Sequence, residues 1–173
     1  MPELAEVEFA RKTWNPGMGF MVQRVETKVT SRVYRDLQPA TVARGLKGAS
    51  LQSSEAHGKK MLFRFSSDRW LGLHLGMTGS LRTEGGDYAK AKHDALVLRQ
   101  TDRSLVFHDP RQFGRILFHV GKANPDWWSD LPPEVNSKEF TFELVKTILK
   151  RRARAPVKSV LLMQQFFPGI GNW

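Results

Sequence analysis

The sequence predicts an α+β fold, in which an antiparallel β domain follows one helix and precedes a second helical segment. Three observations lead to this prediction. The first dozen residues have helical periodicity, residues 20–118 form short alternating runs separated by turn residues, and helical periodicity returns after residue 136. Several consecutive hairpins favour a β-sandwich or a β-barrel for the middle region.

The opening segment, from Pro2 to about Trp14, is predicted to be a helix. Proline is tolerated in the first turn, and the acidic residues Glu3 and Glu6 favour the positive N-terminal end of a helix. The turn residues at 15–17, Asn-Pro-Gly, end the segment.

The middle region is predicted to consist of antiparallel strands with one buried face. They are expected near Phe20–Val29, Ala49–Ser53, Lys60–Phe65, Trp70–Leu75, Ala95–Gln100, Ser104–His108 and Arg115–Val120. The links at 66–68 and 101–103 are short enough to be hairpin turns. One helix is expected between Arg35 and Leu46.

A proline-containing loop from Gly121 to Asn136 predicts a domain boundary. After it, an amphipathic basic helix is expected, followed by a second helix from about Val157 to Phe166. The first of these helices is predicted to have one apolar face, made of Phe142, Val145, Ile148 and Leu149. The second should stop at residues 168–172, where two glycines allow a tight turn.

The charge balance indicates a polyanionic partner. The 173 residues include 27 Lys and Arg against 17 Asp and Glu, a formal charge of +10. A basic domain of this size is typical of nucleic-acid binding, while an acidic membrane surface or simple solubility are the alternatives.

Two absences in the sequence narrow the class of protein further. No apolar stretch approaches the ~20 residues that span a bilayer, and the acidic start MPELAEVEFA lacks the features of a signal peptide, so a cytoplasmic protein is expected. The chain has no cysteine, which excludes disulfides and thiolate zinc sites.

Six short segments occur in a characteristic order: MPELAEVE, GKKMLFRF, HLGMTGSLR, KHD, HDPRQFGR and RRARAPVKSVLLMQQFFPGIGN. In these segments the chain resembles formamidopyrimidine-DNA glycosylase and its endonuclease VIII relatives. The resemblance implies a two-layer antiparallel β-sandwich with flanking helices over residues 1–130, as the catalytic domain. It also implies an incomplete helix–two-turn–helix DNA-binding domain over residues 131–173.

The resemblance implies base-excision repair of damaged double-stranded DNA by a glycosylase with AP lyase activity. Oxidised bases such as formamidopyrimidines or 8-oxoguanine would be removed through a Schiff base on the N-terminal proline, followed by β,δ-elimination. A monomer is expected, associated with the nucleoid if the source is bacterial. The choice between oxidised purines and oxidised pyrimidines stays open.

Four residues carry the expected catalysis. Pro2 matches the family nucleophile, and an N-terminal amine with a pKa of about 7.7–8.0 is a suitable one, provided that Met1 is removed. Glu3 matches the acid/base residue, and Glu6 a carboxylate that orients water and the amine. Both carboxylates have an alternative interpretation as partners of the helix dipole. Lys59 matches the lysine that contacts phosphates near the lesion, whereas the next residue, Lys60, is interpreted as a solvated charge.

Further residues match the family's DNA contacts. His74 corresponds to a backbone contact, while Met77, Arg111 and Phe113 correspond to the wedge that fills the gap left by an extruded base. The alternative places Met77 and Phe113 in the core. Lys158 and Asn172 match the grip on phosphates that flank the lesion, in a segment whose basic cluster is otherwise a solvated face.

The chain departs from the family pattern in ways that limit these expectations. Ala5 and Pro168 replace a usual proline and a usual small residue, and the family's C-terminal zinc finger is absent, so no metal or cofactor is expected in this chain. The pairs His93-Asp94 and His108-Asp109 are expected to make structural hydrogen bonds rather than a metal site. Two alternatives stay open: a truncated, catalytically impaired lesion- or DNA-binding protein, and a basic RNA- or ribosome-associated module.

Overall fold

Two four-stranded antiparallel sheets pack face to face around one apolar core. This arrangement is seen in a computed structural model of the chain, which describes residues 2–172. The predicted α+β class and the two-layer β-sandwich are confirmed, and the alternative of a barrel is wrong because each sheet keeps two open edges.

The first sheet has the strand order β1-β6-β7-β5. Its strands are β1 (Arg24–Thr27), β6 (Asp94–Arg99), β7 (Arg103–His108) and β5 (Ser80–Gly85). The second sheet has the order β2-β3-β4-β8. Its strands are β2 (Leu51–His57), β3 (Lys60–Phe65), β4 (Arg69–His74) and β8 (Arg115–Val120). Every pair of neighbouring strands in both sheets is antiparallel.

Helices lie before, between and after the strands. They are α1 (Leu4–Lys12), α2 (Pro39–Leu46), α3 (Asp126–Ser129), α4 (Phe142–Arg151) and α5 (Val157–Leu161), with short 3₁₀ turns at Asn15–Gly17 and Arg32–Tyr34. Among the described residues, no helix has the length and apolar character needed to cross a membrane.

The strand predictions differ from the structure in both sheets. In the second sheet, β2 covers Leu51–His57 instead of the predicted Ala49–Ser53. β1 covers only Arg24–Thr27 of the predicted Phe20–Val29, because residues 18 and 21 make isolated bridges to the second sheet instead. The strand Ser80–Gly85 was not predicted, since Leu81 is its only fully buried residue and its sequence has little apolar alternation.

Three helix predictions were wrong at their ends. The helix predicted from Arg35 starts at Pro39, because Arg35 has a positive φ of 28° and proline favours the first helical position. The helix predicted to Phe166 ends at Leu161. The opening helix ends at Lys12, and the predicted loop at 121–136 contains the short helix α3.

The predicted apolar face of α4 was also partly wrong. Ile148 is buried, but the side chain of Phe142 is 76% exposed and that of Leu149 is 40% exposed. Leu144, one turn before Ile148, packs on the same apolar cluster, with Val160 and Phe167 at its centre. Helix α4 therefore turns a narrower face inward than its sequence pattern indicates.

The core of the sandwich fixes the direction of α1. Trp14, just after α1, is fully buried and its ring centre lies 4.7 Å from that of Phe63 on β3. The guanidinium of Arg11 donates to the hydroxyl oxygen of Ser54 on β2 at 2.6 Å. These contacts hold the C-terminal half of α1 on the second sheet and leave its N-terminal end beside the turn between β2 and β3.

The helical segment packs around its own apolar cluster and contacts the β2–β3 turn. The imidazole Nε2 of His57 lies 2.6 Å from the carbonyl oxygen of Pro132, and the backbone N–H of Gly58 donates to Glu134 at 2.8 Å. Trp127 and Trp128 cover part of the outer face of the second sheet. The domain boundary between residues 130 and 131 stays a prediction.

Candidate active site

Three segments that are distant in the sequence meet at the N-terminal end of α1. The backbone N–H of Leu4 donates to the carbonyl oxygen of Gly169 at 3.3 Å. A Cβ atom at Gly58 would lie 2.8 Å from Cβ of Pro168, and Gly58 and Gly169 both have positive φ values, of 57° and 87°. Only glycine fits these two positions easily, so Gly58 and Gly169 allow the β2–β3 turn and residues 168–171 to approach each other closely.

The first turn of α1 places two carboxylates directly after Pro2. The backbone N–H of Glu3 donates to Oε2 of Glu6 at 2.9 Å, and the two residues form a capping box. Pro2 and Glu3 are half-buried, while Glu6 is exposed. The interpretation of Glu6 as a partner of the helix end is therefore correct, and this role also keeps its carboxylate close to the start of the chain.

Lys59 lies within electrostatic reach of Glu3. Its side chain is nearly buried, with 7% of the residue exposed. Burial lowers the pKa of the Lys59 ammonium group, and the Glu3 carboxylate opposes that shift. On another side, the carboxylate of Glu3 fills the space that a Cβ at Gly171 would need. Glu6 and Lys59 thus both interact with Glu3, which directly follows Pro2 in the chain. That these four residues form one catalytic site stays a prediction.

His74 ends β4 on the outer face of the second sheet. Its Nδ1 accepts a hydrogen bond from the backbone N–H of Gly76 at 3.0 Å, which leaves the proton of a neutral ring on Nε2. Burial lowers the pKa of His74, and the cations of Lys60, Lys59 and Arg35 lower it further. Near neutral pH the ring is therefore an uncharged donor.

Met77 and Phe113 lie on two adjoining loops, at 75–79 and 109–114. Gly76 has a positive φ of 65°, and a Cβ there would lie 2.5 Å from the backbone carbon of Phe113. Met77 is 49% exposed and Phe113 is 42% exposed, so the alternative that places both in the core is wrong. The guanidinium of Arg111 lies 4.8 Å from the centre of the Phe113 ring.

Asp109 fixes these two loops to each other. It is 1% exposed, and its Oδ2 accepts from the backbone N–H of Gly114 at 2.7 Å. Its Oδ1 accepts from the hydroxyl of Thr78 at 3.3 Å. Asp109 was expected to make a structural hydrogen bond, but its partners were not predicted. Its position inside DPRQFGR, the segment that carries Arg111 and Phe113, is the sequence feature that could have indicated a role in these loops.

The neighbouring pair His108 and Asp94 is part of a separate network. The buried carboxylate of Asp94 lies 2.8 Å from Nδ1 of His108 and accepts from the hydroxyl of Tyr88, also at 2.8 Å. Within residues 2–172, no group of three or more acidic, histidine or cysteine side chains is placed to hold a metal ion. The thiolates of a zinc finger have no counterpart among the 173 residues.

The two predicted phosphate contacts of the helical segment are exposed. Asn172 follows Gly171 and so lies at the border of the cluster around Glu3. Lys158 lies in the first half of α5. Neither position is taken up by the apolar cluster of the helices, which leaves both side chains available to a ligand.

Two open cavities share His74 in their lining. One, of about 280 Å³, lies between the β2–β3 turn and the helical segment, and Lys59, Gln164 and Pro168 contribute to it. The other, of about 500 Å³, lies against the outer face of the second sheet, and Lys60 and Arg115 contribute to it. Cationic side chains line both cavities and favour an anionic ligand there.

Comparison with known proteins gives a consistent match. Residues 1–116 match the family described as the formamidopyrimidine-DNA glycosylase N-terminal domain. The chain is 35% identical to the formamidopyrimidine-DNA glycosylase of Xanthomonas axonopodis pv. citri over 99% of its length, and 36% identical to that of Symbiobacterium thermophilum. It covers 63% and 57% of these relatives, so it spans about three-fifths of their length.

Solved structures agree with the sequence comparison. The Lactococcus lactis Fpg (MutM) bound to DNA containing N7-benzyl-Fapy-dG aligns with a TM-score of 0.85 at 26% identity, over 99% of this chain and 64% of that one. A MutM bound to DNA containing carbocyclic 8-oxo-G aligns equally well, over 65% of its chain. The chain therefore belongs to the formamidopyrimidine-DNA glycosylase family.

Proposed function

We propose that this chain acts in base-excision repair, as a DNA glycosylase with AP lyase activity that uses the amine of Pro2. The observation that carries the proposal is the cluster at the N-terminal end of α1, where Glu3, Glu6 and Lys59 surround the start of the chain. The relatives named formamidopyrimidine-DNA glycosylase and the solved relatives bound to damaged DNA support it.

In the proposed reaction, the secondary amine of Pro2 attacks C1′ of the damaged nucleotide. The N–C1′ bond forms as the glycosidic bond breaks, and the base leaves with the bonding electron pair and takes up a proton. The amine then loses its proton, Glu3 donates a proton to the ring oxygen, and the sugar opens to an iminium. The protein groups in these steps are the amine of Pro2 and the side chain of Glu3.

The iminium makes the lyase steps possible. It acidifies the proton on C2′. Removal of that proton sends electrons toward the iminium, and the 3′ phosphate is expelled by β-elimination. A second elimination then expels the 5′ phosphate. In this scheme Glu6, fixed by the N–H of Glu3 at 2.9 Å, orients water and the amine. Lys59 would contact a phosphate next to the reacting sugar.

The remaining predicted residues would hold DNA in a bent and opened form. Turning a base out of the helix costs a few kcal/mol, and an inserted side chain offsets part of that cost. In the proposal Met77, Arg111 and Phe113 supply the wedge from their exposed loops. Lys158 and Asn172 would contact flanking phosphates. The substrate would be double-stranded DNA with oxidised bases. The protein would act on it as a monomer, in the cytoplasm or nucleoid.

Reductive trapping tests this function. The demethionylated chain, checked by intact mass, is incubated with a duplex containing an abasic site and sodium borohydride. We expect a covalent protein–DNA adduct, because the reductant fixes the iminium. The control is the same chain with Met1 retained, in which the Pro2 nitrogen is an amide and no adduct should form. Absence of an adduct from the demethionylated chain would reject the proposed chemistry.

A second candidate function is lesion binding without turnover. The curated relatives contain further residues with no counterpart in these 173, since the chain covers 57–64% of their length. Tight and selective binding of an abasic duplex, without an adduct, would identify this function.

A further inference from the structure

Lys60, His74 and Arg115 form a row across three adjacent strands of the second sheet. Lys60 on β3 pairs in register with His74 on β4, and His74 pairs with Arg115 on β8. Side chains of directly paired residues lie on the same face of a sheet, with Cβ atoms about 5 Å apart. The row therefore places three nitrogen-bearing side chains side by side at one end of the outer face, near the β2–β3 turn.

This row is unfavourable for the isolated protein. Like charges that face each other across strands destabilise a sheet. Burial lowers the pKa of Lys60, and the charge of Arg115 lowers it further. Arg35 adds another cation: its guanidinium approaches the carbonyl oxygens of Phe113 and Gly114 at 3.4 Å. The fold thus holds like charges together beside the loop at 109–114, which is called the wedge loop below.

Acidic side chains of the protein do little to neutralise the row. Asp36 pairs with Arg115 at 3.0 Å, but its side chain is 82% exposed, and exposed pairs of this kind contribute little. Within residues 2–172, no acidic oxygen lies within ion-pairing distance of Lys60. The interpretation of Lys60 as a solvated charge is wrong, since Lys60 is half-buried and lines a cavity.

The side chains of the row converge on the cavity of about 500 Å³. Its apolar floor includes Trp127, whose indole ring packs directly on the sheet at Gly72, where a Cβ would lie only 2.5 Å from the ring. Phe113 of the wedge loop contributes to the same cavity. The site therefore combines cations, one uncharged N–H donor on His74 and an apolar floor, which suits a phosphodiester with part of its sugar.

We propose that Lys60 and Arg115, together with Arg35 and His74, bind one backbone phosphate of a DNA duplex on the Phe113 side of the wedge loop. This inference rests on the proposed binding of DNA but not on the lyase chemistry. Lys60 and Arg115 are the new elements. They extend the path of the DNA backbone from Lys59 across the outer face of the second sheet.

The salt dependence of binding tests the site. The 173-residue chain is titrated into a duplex with a tetrahydrofuran abasic analogue at several salt concentrations, by fluorescence anisotropy. The double variant Lys60→Gln, Arg115→Gln should weaken binding about tenfold or more, and reduce the slope of log K against log salt by about one, as expected for the loss of one phosphate contact.

A second double variant controls for net charge. Arg69 and Lys122 lie at the opposite end of β4 and just after β8, about 17 Å away along the strands. The variant Arg69→Gln, Lys122→Gln removes the same two charges and should leave the slope within about 0.3 of wild type. Equal slopes for the two double variants would overturn the proposal.

A DNA-independent measurement separates this proposal from the proposed function. Inorganic phosphate is titrated at constant ionic strength while the amide and imidazole NMR signals are followed. We expect shifts at Lys60, His74 and Arg115, and none of them in Lys60→Gln, Arg115→Gln. Phosphate-induced shifts in a chain that does not bind DNA would support the phosphate site and reject the proposed DNA function. Covalent trapping on DNA, with no phosphate-induced shifts and with the same salt slope in the double variant as in wild type, would support the proposed function and reject the phosphate site.

Discussion

The guanidinium of Arg111 lies over the ring of Phe113, 4.8 Å from its centre. Both side chains belong to the loop that Asp109 fixes through the N–H of Gly114. The cation and the ring therefore restrict each other's rotamers. In the proposed DNA complex, less side-chain entropy would then be lost when Phe113 enters the base stack.

Replacement of the wedge ring should weaken lesion binding and leave stability unchanged. Phe113→Ala is expected to reduce affinity for an abasic-analogue duplex about tenfold, since stacking of one base on an aromatic ring contributes about 1–3 kcal/mol. Phe113 is 42% exposed, so Tm should change little. Anisotropy and thermal unfolding measure both. The matched control is Phe9→Ala, another exposed phenylalanine, on α1; equal losses in the two variants would contradict the wedge role.

Asp109→Asn should affect both stability and binding. The substitution removes the charge from an acceptor of two hydrogen bonds, which costs about 1–3 kcal/mol for a buried group and about 5 °C in Tm. The loosened loops should also bind a lesion duplex more weakly. Asp102→Asn, in the exposed turn between β6 and β7, is the control. Wild-type stability and affinity in Asp109→Asn would show that the loops are held by other contacts.

Gly171→Ala should impair catalysis without unfolding the protein. The new Cβ would overlap the carboxylate of Glu3, which is the mobile end of a side chain and can move aside. Trapping of an abasic duplex should slow about tenfold to a hundredfold, because general acid catalysis contributes at least that much.

The control for that substitution is Gly85→Ala, at the end of β5 in the first sheet, where the new Cβ would lie 3.0 Å from the carboxylate of Asp87. It should trap at the wild-type rate. A normal trapping rate in Gly171→Ala would show that Glu3 tolerates displacement and would argue against its role as the acid.

Acid should abolish the contribution of the ion pair between Glu8 and Arg11, which lie one turn apart within α1. The hydrogen bond from Arg11 lowers the pKa of Glu8 to about 2. An unfolded glutamate has a pKa of about 4.3. The stabilisation is therefore complete above about pH 5 and lost as the pH falls toward 2.

Glu8→Gln should accordingly lower Tm at pH 7 by about 1–3 °C, a small value because the Glu8 side chain is 38% exposed. The difference from wild type should vanish near pH 2. Glu139→Gln, at an exposed position, should show no such pH-dependent difference. A constant difference from pH 7 to pH 2 would contradict the assignment to ionisation.

Much of the fold could be predicted because its inner strands are short apolar runs bounded by turn residues, although they are buried on consecutive rather than alternating positions. Lys60–Phe65 and Arg115–Val120 were correct at both ends. The strand Ser80–Gly85 could not be found in this way, because its pairing with β7 depends on backbone hydrogen bonds rather than on an apolar pattern.

The roles proposed for Pro2, Glu3, Glu6 and Lys59 could be predicted only through the family resemblance. The spacing of Pro2, Glu3 and Glu6 alone fits an ordinary helix start, and the structure shows that Glu6 does serve one. The meeting of Glu3 with Lys59 and Gly171 depends on tertiary contacts across more than 50 residues, which no local pattern records. Lys60 was misjudged for a similar reason, since only strand pairing places it beside His74 and Arg115.

The hydrogen bond from Leu4 to Gly169 has a consequence for biosynthesis. The β-sandwich can form on the ribosome as soon as β8 has emerged, but the first turn of α1 lacks this partner until residues 168–171 have been translated. The first turn of a nascent α1 would thus lack this contact until Gly169 has been made. Under the proposed function, the chemistry at Pro2 would be acquired only after that point.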